Sequence, residues 1–183
     1  MSEMSKMLSG ALYRPSGDPE LTAHAARARQ LMAVFNSTPD DDERRSALAE
    51  LVGDLGEDAV IRPPFHCDYG IHISMGAGAF MNFGGVILDC APVTIGALAQ
   101  IGPNVQLLAA DHPREPDVRR EGWEMAKPVH VGANTWLGGC VIVCPGVTIG
   151  DDSIIGAGSV VARDIPAGVV AAGNPCRVVR ELG

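Results

Sequence analysis

Aromatic side chains are scarce: four Phe, two Tyr and two Trp make up 4% of the 183 residues, so any core has to be assembled from Val, Ile, Leu and Ala. Basic residues are also in deficit. Fourteen Lys and Arg stand against 22 Asp and Glu, a formal net charge of −8, whereas a nucleic-acid-binding face needs clustered cations and a basic balance. An anionic ligand therefore has to be met by a local basic patch. No apolar run is long enough to span a bilayer, and the opening "MSEMSKMLSGALY" lacks the uninterrupted apolar stretch of a signal peptide. Neither nucleic acid nor membrane is expected as a partner, and the expected location is the cytoplasm. The five cysteines are odd in number and form no CxxC pair, which favours buried free thiols over zinc ligands or disulfides.

What is abundant is glycine and proline, 22 and 13 residues, beside 46% hydrophobic content; that combination implies many regular turns and excludes general disorder. The length fits one main domain with a small appendage. Residues 1–60 read as a helical segment. In "DPELTAHAARARQLMAVFN", Asp18 is a plausible N-cap, Pro19 takes the first helical position, and Leu21, Ala25, Ala28, Leu31, Met32 and Phe35 form one apolar stripe. A second stripe, Leu48, Leu51, Val52 and Leu55, predicts another helix, stopped by Gly56.

From about Ile71 the helical period disappears and a fixed period of six replaces it. Stepping by six from Ile95 gives Ile101 and Leu107; stepping from Val131 gives Leu137, Val143, Ile149, Ile155 and Val161. Such an array predicts a parallel β-helix in which each short strand sends one aliphatic side chain inward and a small residue lets the chain turn the next corner. Leu107 and Val131 are four whole repeats apart, so the break between them keeps the phase and predicts a loop, 109–128, extruded from one corner. Between Ile71 and Ala91 the rhythm weakens, and imperfect coils are expected there. Residues 61–183 are thus read as a β-helix domain with this loop and a C-terminal tail.

"DPEL…FN", "HCDYG", "MNFGGVILD", "ADHP", "KPVHVGANTWLGG", "PGVTIGDDSIIGAGSVV" and "AAGNPCRVVR" follow one another in this order. Together they resemble the maltose, galactoside and nodulation-factor O-acetyltransferases of the hexapeptide-repeat acyltransferase superfamily, over nearly the whole chain. The resemblance implies a left-handed parallel β-helix, a homotrimer, and acetylation of a small hydroxyl-bearing acceptor by acetyl-CoA, a co-substrate rather than a tightly bound cofactor, in clefts between subunits.

Acetyl transfer to a hydroxyl needs a base, and an imidazole with its ordinary pKa of about 6.5 suits the task near neutral pH. His112, at the mouth of the loop, matches the histidine that is the general base in the resembled family; on the residues alone it could equally be a loop histidine stiffening a turn before Pro113. Asp18, Asn82, Asp89 and Glu124 match acceptor-site surroundings, although Asp18 could be only a helix cap and Asp89 could finish a coil corner. Trp136 matches a tryptophan beside acetyl donor and acceptor, with surface packing as the alternative. Gly138 and Gly139 would bring backbone N–H groups close to the thioester oxygen. Ala157 and Ser159 are placed near the pantetheine arm, and Arg163, Arg177 and Arg180 could meet the phosphates of the coenzyme, or be solvated terminal charges. The chain departs from the family pattern at Ala25, where many relatives carry arginine, and at Cys90, where one carries aspartate, which leaves the acceptor open.

Two other classes compete. Trimeric zinc-dependent carbonic anhydrases share the β-helix and hold their metal by three histidines; His66, His72, His112 and His130 are present, but their spacings do not stack them at one interface, and no metal site is expected. A non-catalytic scaffold would leave the "DHP" loop and the arginine tail unexplained.

Overall fold

The computed structural model describes all 183 residues, Met1 to Gly183. Its body is a parallel β-helix of about six turns with three faces. The first face stacks Asp54–Leu55, Ile73–Met75, Val93–Ile95, Val129–Val131 and Thr148–Ile149. The second runs from Val60–Ile61 through Phe80–Met81, Gln100–Ile101, Trp136–Leu137 and Ile154–Ile155 to Val169–Ala172, where Arg177–Glu181 adds an antiparallel edge. The third holds Phe65–Cys67, Gly85–Leu88, Gln106–Leu108, Ile142–Val143 and Val160–Val161.

The six-residue period is the inward side chain of each strand. Met75, Ile95, Val131 and Ile149 are in register on the first face, and Ile87, Leu107, Val143 and Val161 on the third. The nine periodic positions of the sequence are each 0 or 1% exposed. At roughly 1.5–3 kcal/mol for each fully buried aliphatic side chain, this column is the main cohesive element of the fold. Corners need small residues because successive coils touch there: a Cβ on Gly138 would lie 2.5 Å from the Ala157 nitrogen.

The weak rhythm before Ala91 has a specific cause. Cys67 to Met75 and Ile87 to Ile95 are eight residues apart instead of six, so the corner between third and first face carries two extra residues in each of the first two full coils. At the next coil the same corner becomes the extrusion. Leu107 ends one face and Val131 continues on the next, so three of the four repeat lengths between them are added chain. The loop is pinched at its neck by an antiparallel pair, Ala110–Asp111 with Met125–Ala126, and carries a short helix at Pro116–Arg120.

The leader holds three helices where the sequence predicted two: α1 Glu3–Leu8, α2 Pro19–Ser37 and α3 Asp41–Leu51. The expectation that α3 runs through Leu55 to Gly56 is corrected. The helix stops at Leu51, Gly53 N–H turns to the Gly70 carbonyl at 3.1 Å, and Leu55 pairs with Met75 as the first strand of the solenoid. Gly56 is a coil corner, where a Cβ would lie 2.5 Å from the Ala77 nitrogen. The "FN" at the end of α2 seals the open first coil: Phe35 meets Phe65 edge to face at 6.5 Å, and the Asn36 amide bonds both the Phe65 carbonyl (2.9 Å) and its N–H (2.8 Å). No helix is long and apolar enough to cross a membrane.

Candidate active site

His112 sits where the loop leaves its neck, in a backbone fixed from both sides. Its N–H donates to Asp111 Oδ1 at 2.8 Å, and its carbonyl accepts from Arg114 Nη1 at 2.8 Å. Arg114 also grips Asp111 in a two-pronged pair at 2.8 and 3.1 Å. Arg119, one helical turn on, donates to the Pro113 carbonyl at 2.8 Å. Burial raises the Asp111 pKa, but the Arg114 and His112 N–H bonds outweigh it and hold the carboxyl below its ordinary value. Asp111 is therefore a stable anion that orders the turn. The His112 imidazole is exposed and makes no bond within the chain. The "DHPR" turn thus fixes the main chain and leaves the ring exposed and unbonded.

Glu124 closes the other side of the loop. It pairs with Tyr13 through backbone bonds of 3.1 and 2.9 Å, and its Oε2 accepts from the Tyr13 hydroxyl at 3.0 Å. Beside it the Cys90 thiol donates to Asp68 Oδ2 at 3.3 Å. Burial is the first cause that pushes the Asp68 pKa up; the Cys90 bond opposes it, and the Asp89 and Glu124 charges add to it. Asp68 and Tyr13 were not singled out as site residues by sequence reasoning, and Cys90 only as a departure from the family pattern. Their signal, adjacency to the extended corner, becomes visible only when coils stack.

The structure removes two expected ligands from direct contact. Asp89 is 0% exposed, and its carboxylate accepts from the N–H groups of Asp68 (3.1 Å), Tyr69 (2.9 Å) and His72 (3.2 Å). The eight-residue corner leaves these three donors without strand partners, so Asp89 serves the backbone, not a substrate. Ser159 is likewise 0% exposed; its hydroxyl donates to the Gly156 carbonyl and accepts from Gly173 N–H at 3.0 Å. It braces the corner between Gly156 and Gly173 without reaching outward. Asp18 caps α2 through Oδ1, which accepts from Leu21 N–H at 2.9 Å, and no protein group bonds its second oxygen.

The remaining expected residues gather on or beside the second face, except Arg163, which lies at the corner between the third face and the first. Asn82 and Trp136 line a shallow groove with Phe80, Gln100, Ile101 and Gly102; Trp136 is 56% exposed, a large apolar surface to leave open. Below it run Gly138 and Gly139, with Ala157 stacked on Gly138. Arg163, Arg177 and Arg180 are all exposed, and none forms an ion pair with a side chain of this chain. The narrow glycine column beside the unpaired Arg177 and Arg180 guanidinium groups of the second-face edge fits a long, thin, anionic molecule. His112 is not among the residues of this groove. No cluster of three or more His, Cys, Asp or Glu side chains is placed to hold a metal ion; His66 lies on the third face and His130 on the first.

The geometry meets known proteins at this point. Residues 6–56 match the maltose acetyltransferase hexapeptide capping motif, and residues 128–163 match the bacterial transferase hexapeptide with its six repeats. Over 179 residues the chain is 49% identical to nodulation protein L of Rhizobium meliloti, covering 97% of each. The chain belongs to the hexapeptide-repeat acetyltransferases of the maltose, galactoside and nodulation type. The structure of a maltose O-acetyltransferase from Clostridium difficile superposes on this acetyltransferase with a TM-score of 0.97 at 40% identity, over 100% of this chain and 98% of that one. A galactoside acetyltransferase in complex with coenzyme A gives 0.95 at 39%, over 100% and 92%. The acetyltransferase is thus an acetyl-CoA-dependent enzyme of the O-acetyl-transferring kind, and the carbonic anhydrase and scaffold readings fall away. The capping motif is the α1 to α3 leader whose "FN" closes the coil, so this part of the chain has a structural reason for its sequence.

Proposed function

We propose that this acetyltransferase moves the acetyl group of acetyl-CoA to a hydroxyl of a sugar or glycoside, with His112 as general base, in one direct attack within a ternary complex. The observation that carries the reading is the His112 turn: a main chain locked by Asp111, Arg114 and Arg119 around an imidazole that no group of the protein engages. As the acceptor oxygen attacks the thioester carbonyl, the imidazole takes the hydroxyl proton. The Gly139 N–H faces the developing oxyanion; the Gly138 N–H, also expected from the sequence to do so, is already bonded to the Ile155 carbonyl at 2.8 Å. The carbon–sulfur bond then breaks, the acetyl ester is left on the acceptor, and the proton passes from the imidazolium to the departing thiolate.

The coenzyme lies along the Gly138, Gly139 and Ala157 column, with Trp136 beside the thioester and Arg163, Arg177 and Arg180 at its phosphates. Glu124, Asn82 and the free oxygen of Asp18 serve the acceptor. The identity of that acceptor is where Ala25 and Cys90 depart from the family, and a non-sugar hydroxyl is the second reading for this reason. The five free thiols, Cys67, Cys90, Cys140, Cys144 and Cys176, favour a reducing compartment, the cytoplasm.

The His112 loop and the Trp136 groove do not meet within one chain. A homotrimer, in which the loop of one subunit lies over the second face of the next, completes the site. Complementation tests this: His112→Ala and Trp136→Ala chains, each inactive alone, are co-expressed and the mixed trimers purified. Thiol release from acetyl-CoA with sugar acceptors is expected to return in the mixture, because some clefts then combine an intact His112 with an intact Trp136. A mixture as inactive as its components contradicts the shared site.

A further inference from the structure

Val60–Ile61 is the outermost strand of the second face, and helix α3 passes beside it without closing the space between them. What remains is a trough of two adjoining cavities that share Arg45, Leu48, Ala59 and Val60. The smaller, about 220 Å³, reaches Arg44; the larger, about 450 Å³, reaches Leu55 and Asp58. Together they fall within the roughly 300–1,000 Å³ of small-molecule pockets. The floor is apolar: Leu48 is buried, while Val60 is left 44% exposed on the edge strand. Leu48 and Val60 thus present a continuous apolar strip that no other part of the chain covers.

The charges along the strip are ordered. Arg44 engages the Asp41 carboxylate and the Thr38 carbonyl through its two terminal nitrogens, which leaves its Nε buried with no hydrogen-bond partner in the chain. A buried N–H without an acceptor is uncommon and destabilising, and it points to a group from outside. Arg45, the next residue, is exposed and forms no ion pair. The acidic run at the start of α3 does not neutralise it: Asp41 is held by Arg44, Asp40 caps the helix, and Glu43 accepts from the Thr38 hydroxyl. Asp58 stands at the other end of the trough, lining the larger cavity, and is also without an ion pair. A single anionic head therefore fits at Arg44 and Arg45, an apolar chain fits over the floor, and a second negative charge at the far end meets Asp58.

We propose that this trough is a binding site for an aliphatic monocarboxylate, with one carboxylate oxygen on Arg44 Nε, the other on the Arg45 guanidinium, and the chain laid over Leu48, Ala59 and Val60 towards Leu55. The trough shares no lining residue with the Trp136 groove, so the site is separate from the acetyl-transfer chemistry and its occupancy is read without turnover. The test is isothermal titration calorimetry of the full chain with octanoate below its micelle concentration. Saturable binding of one octanoate per chain is expected. Octanamide, which keeps the chain and lacks the charge, is expected to bind at least about tenfold more weakly, the worth of one charge-assisted hydrogen bond. Arg45→Glu reverses the head-group charge at an exposed position and should weaken octanoate by a similar factor. Val60→Trp fills the trough from its floor and should weaken octanoate and octanamide together. Melting temperatures show whether each variant folds. No saturable heat with millimolar octanoate overturns the site, and so does octanamide binding as tightly as octanoate. An octanoate affinity unchanged in either folded variant overturns its location in this trough.

Discussion

The Tyr13 hydroxyl donates to Glu124 Oε2 at 3.0 Å while the two residues exchange backbone bonds in both directions. Residues 111 positions apart in sequence thus form a clasp between the leader and the extruded loop. Arg14 reinforces it, with its guanidinium 4.3 Å from the centre of the Trp123 ring and an ion pair to Glu121 at 3.3 Å. The leader has two jobs: it closes the first coil through Phe35 and Asn36, and it restrains the loop that carries His112.

Tyr13→Phe removes the hydroxyl and keeps the ring in its fully buried site. A hydrogen bond to a charged group contributes about 1.5–3 kcal/mol, so the clasp is expected to loosen without unfolding the coil. Trypsin cleavage at Arg119 and Arg120 should quicken about tenfold and kcat should fall, with the melting temperature of the solenoid little changed. Unaltered cleavage would show that the backbone pair alone holds the loop.

Asp89→Ala tests the reassignment of that carboxylate from acceptor binding to the corner. Three backbone N–H groups, that of Tyr69 buried and those of Asp68 and His72 partly so, lose their acceptor, at up to about 1–3 kcal/mol each, so a large fall in melting temperature is expected. Asp89→Asn retains an acceptor oxygen and should lose less. A stable Asp89→Ala enzyme with a raised acceptor KM would instead return Asp89 to the substrate.

Asp68 gives a pH-dependent signature. Its folded pKa is raised, first by burial, so the native state favours the protonated form. This contribution to stability is full below the unfolded carboxyl value of about 3.9 and is lost as pH rises through the higher folded value. Asp68→Asn cannot ionise and escapes that loss. Its melting temperature relative to the unaltered protein is therefore expected to be more favourable at pH 7 than at pH 4; a gap that shrinks or holds constant contradicts a raised Asp68.

The sequence made the solenoid legible because Ile95 to Val161 repeat one environment at one interval, and a repeated environment needs no tertiary context to be recognised. Leu55, Ile61 and Cys67 obey the same step of six, but the eight-residue corners after Cys67 and Ile87 broke the count, and Leu55 passed for the end of a helix. His112 was legible as a loop histidine beside "DHP". For Asp89 the corner role was legible as an alternative but its backbone partners, 17 to 21 residues away, were not, and the role of Ser159 was not legible, since it rests on the Gly173 N–H 14 residues away.

The central claim is that the His112 imidazole is the base. Its exposed, unbonded ring means that His112→Ala removes no interaction of the fold. Steady-state thiol release from acetyl-CoA with a saturating sugar acceptor is expected to fall by about 100- to 10,000-fold in this variant, the usual contribution of general base catalysis, with an unchanged melting temperature and an unchanged oligomeric state. Turnover within a few-fold of the unaltered enzyme would contradict the account.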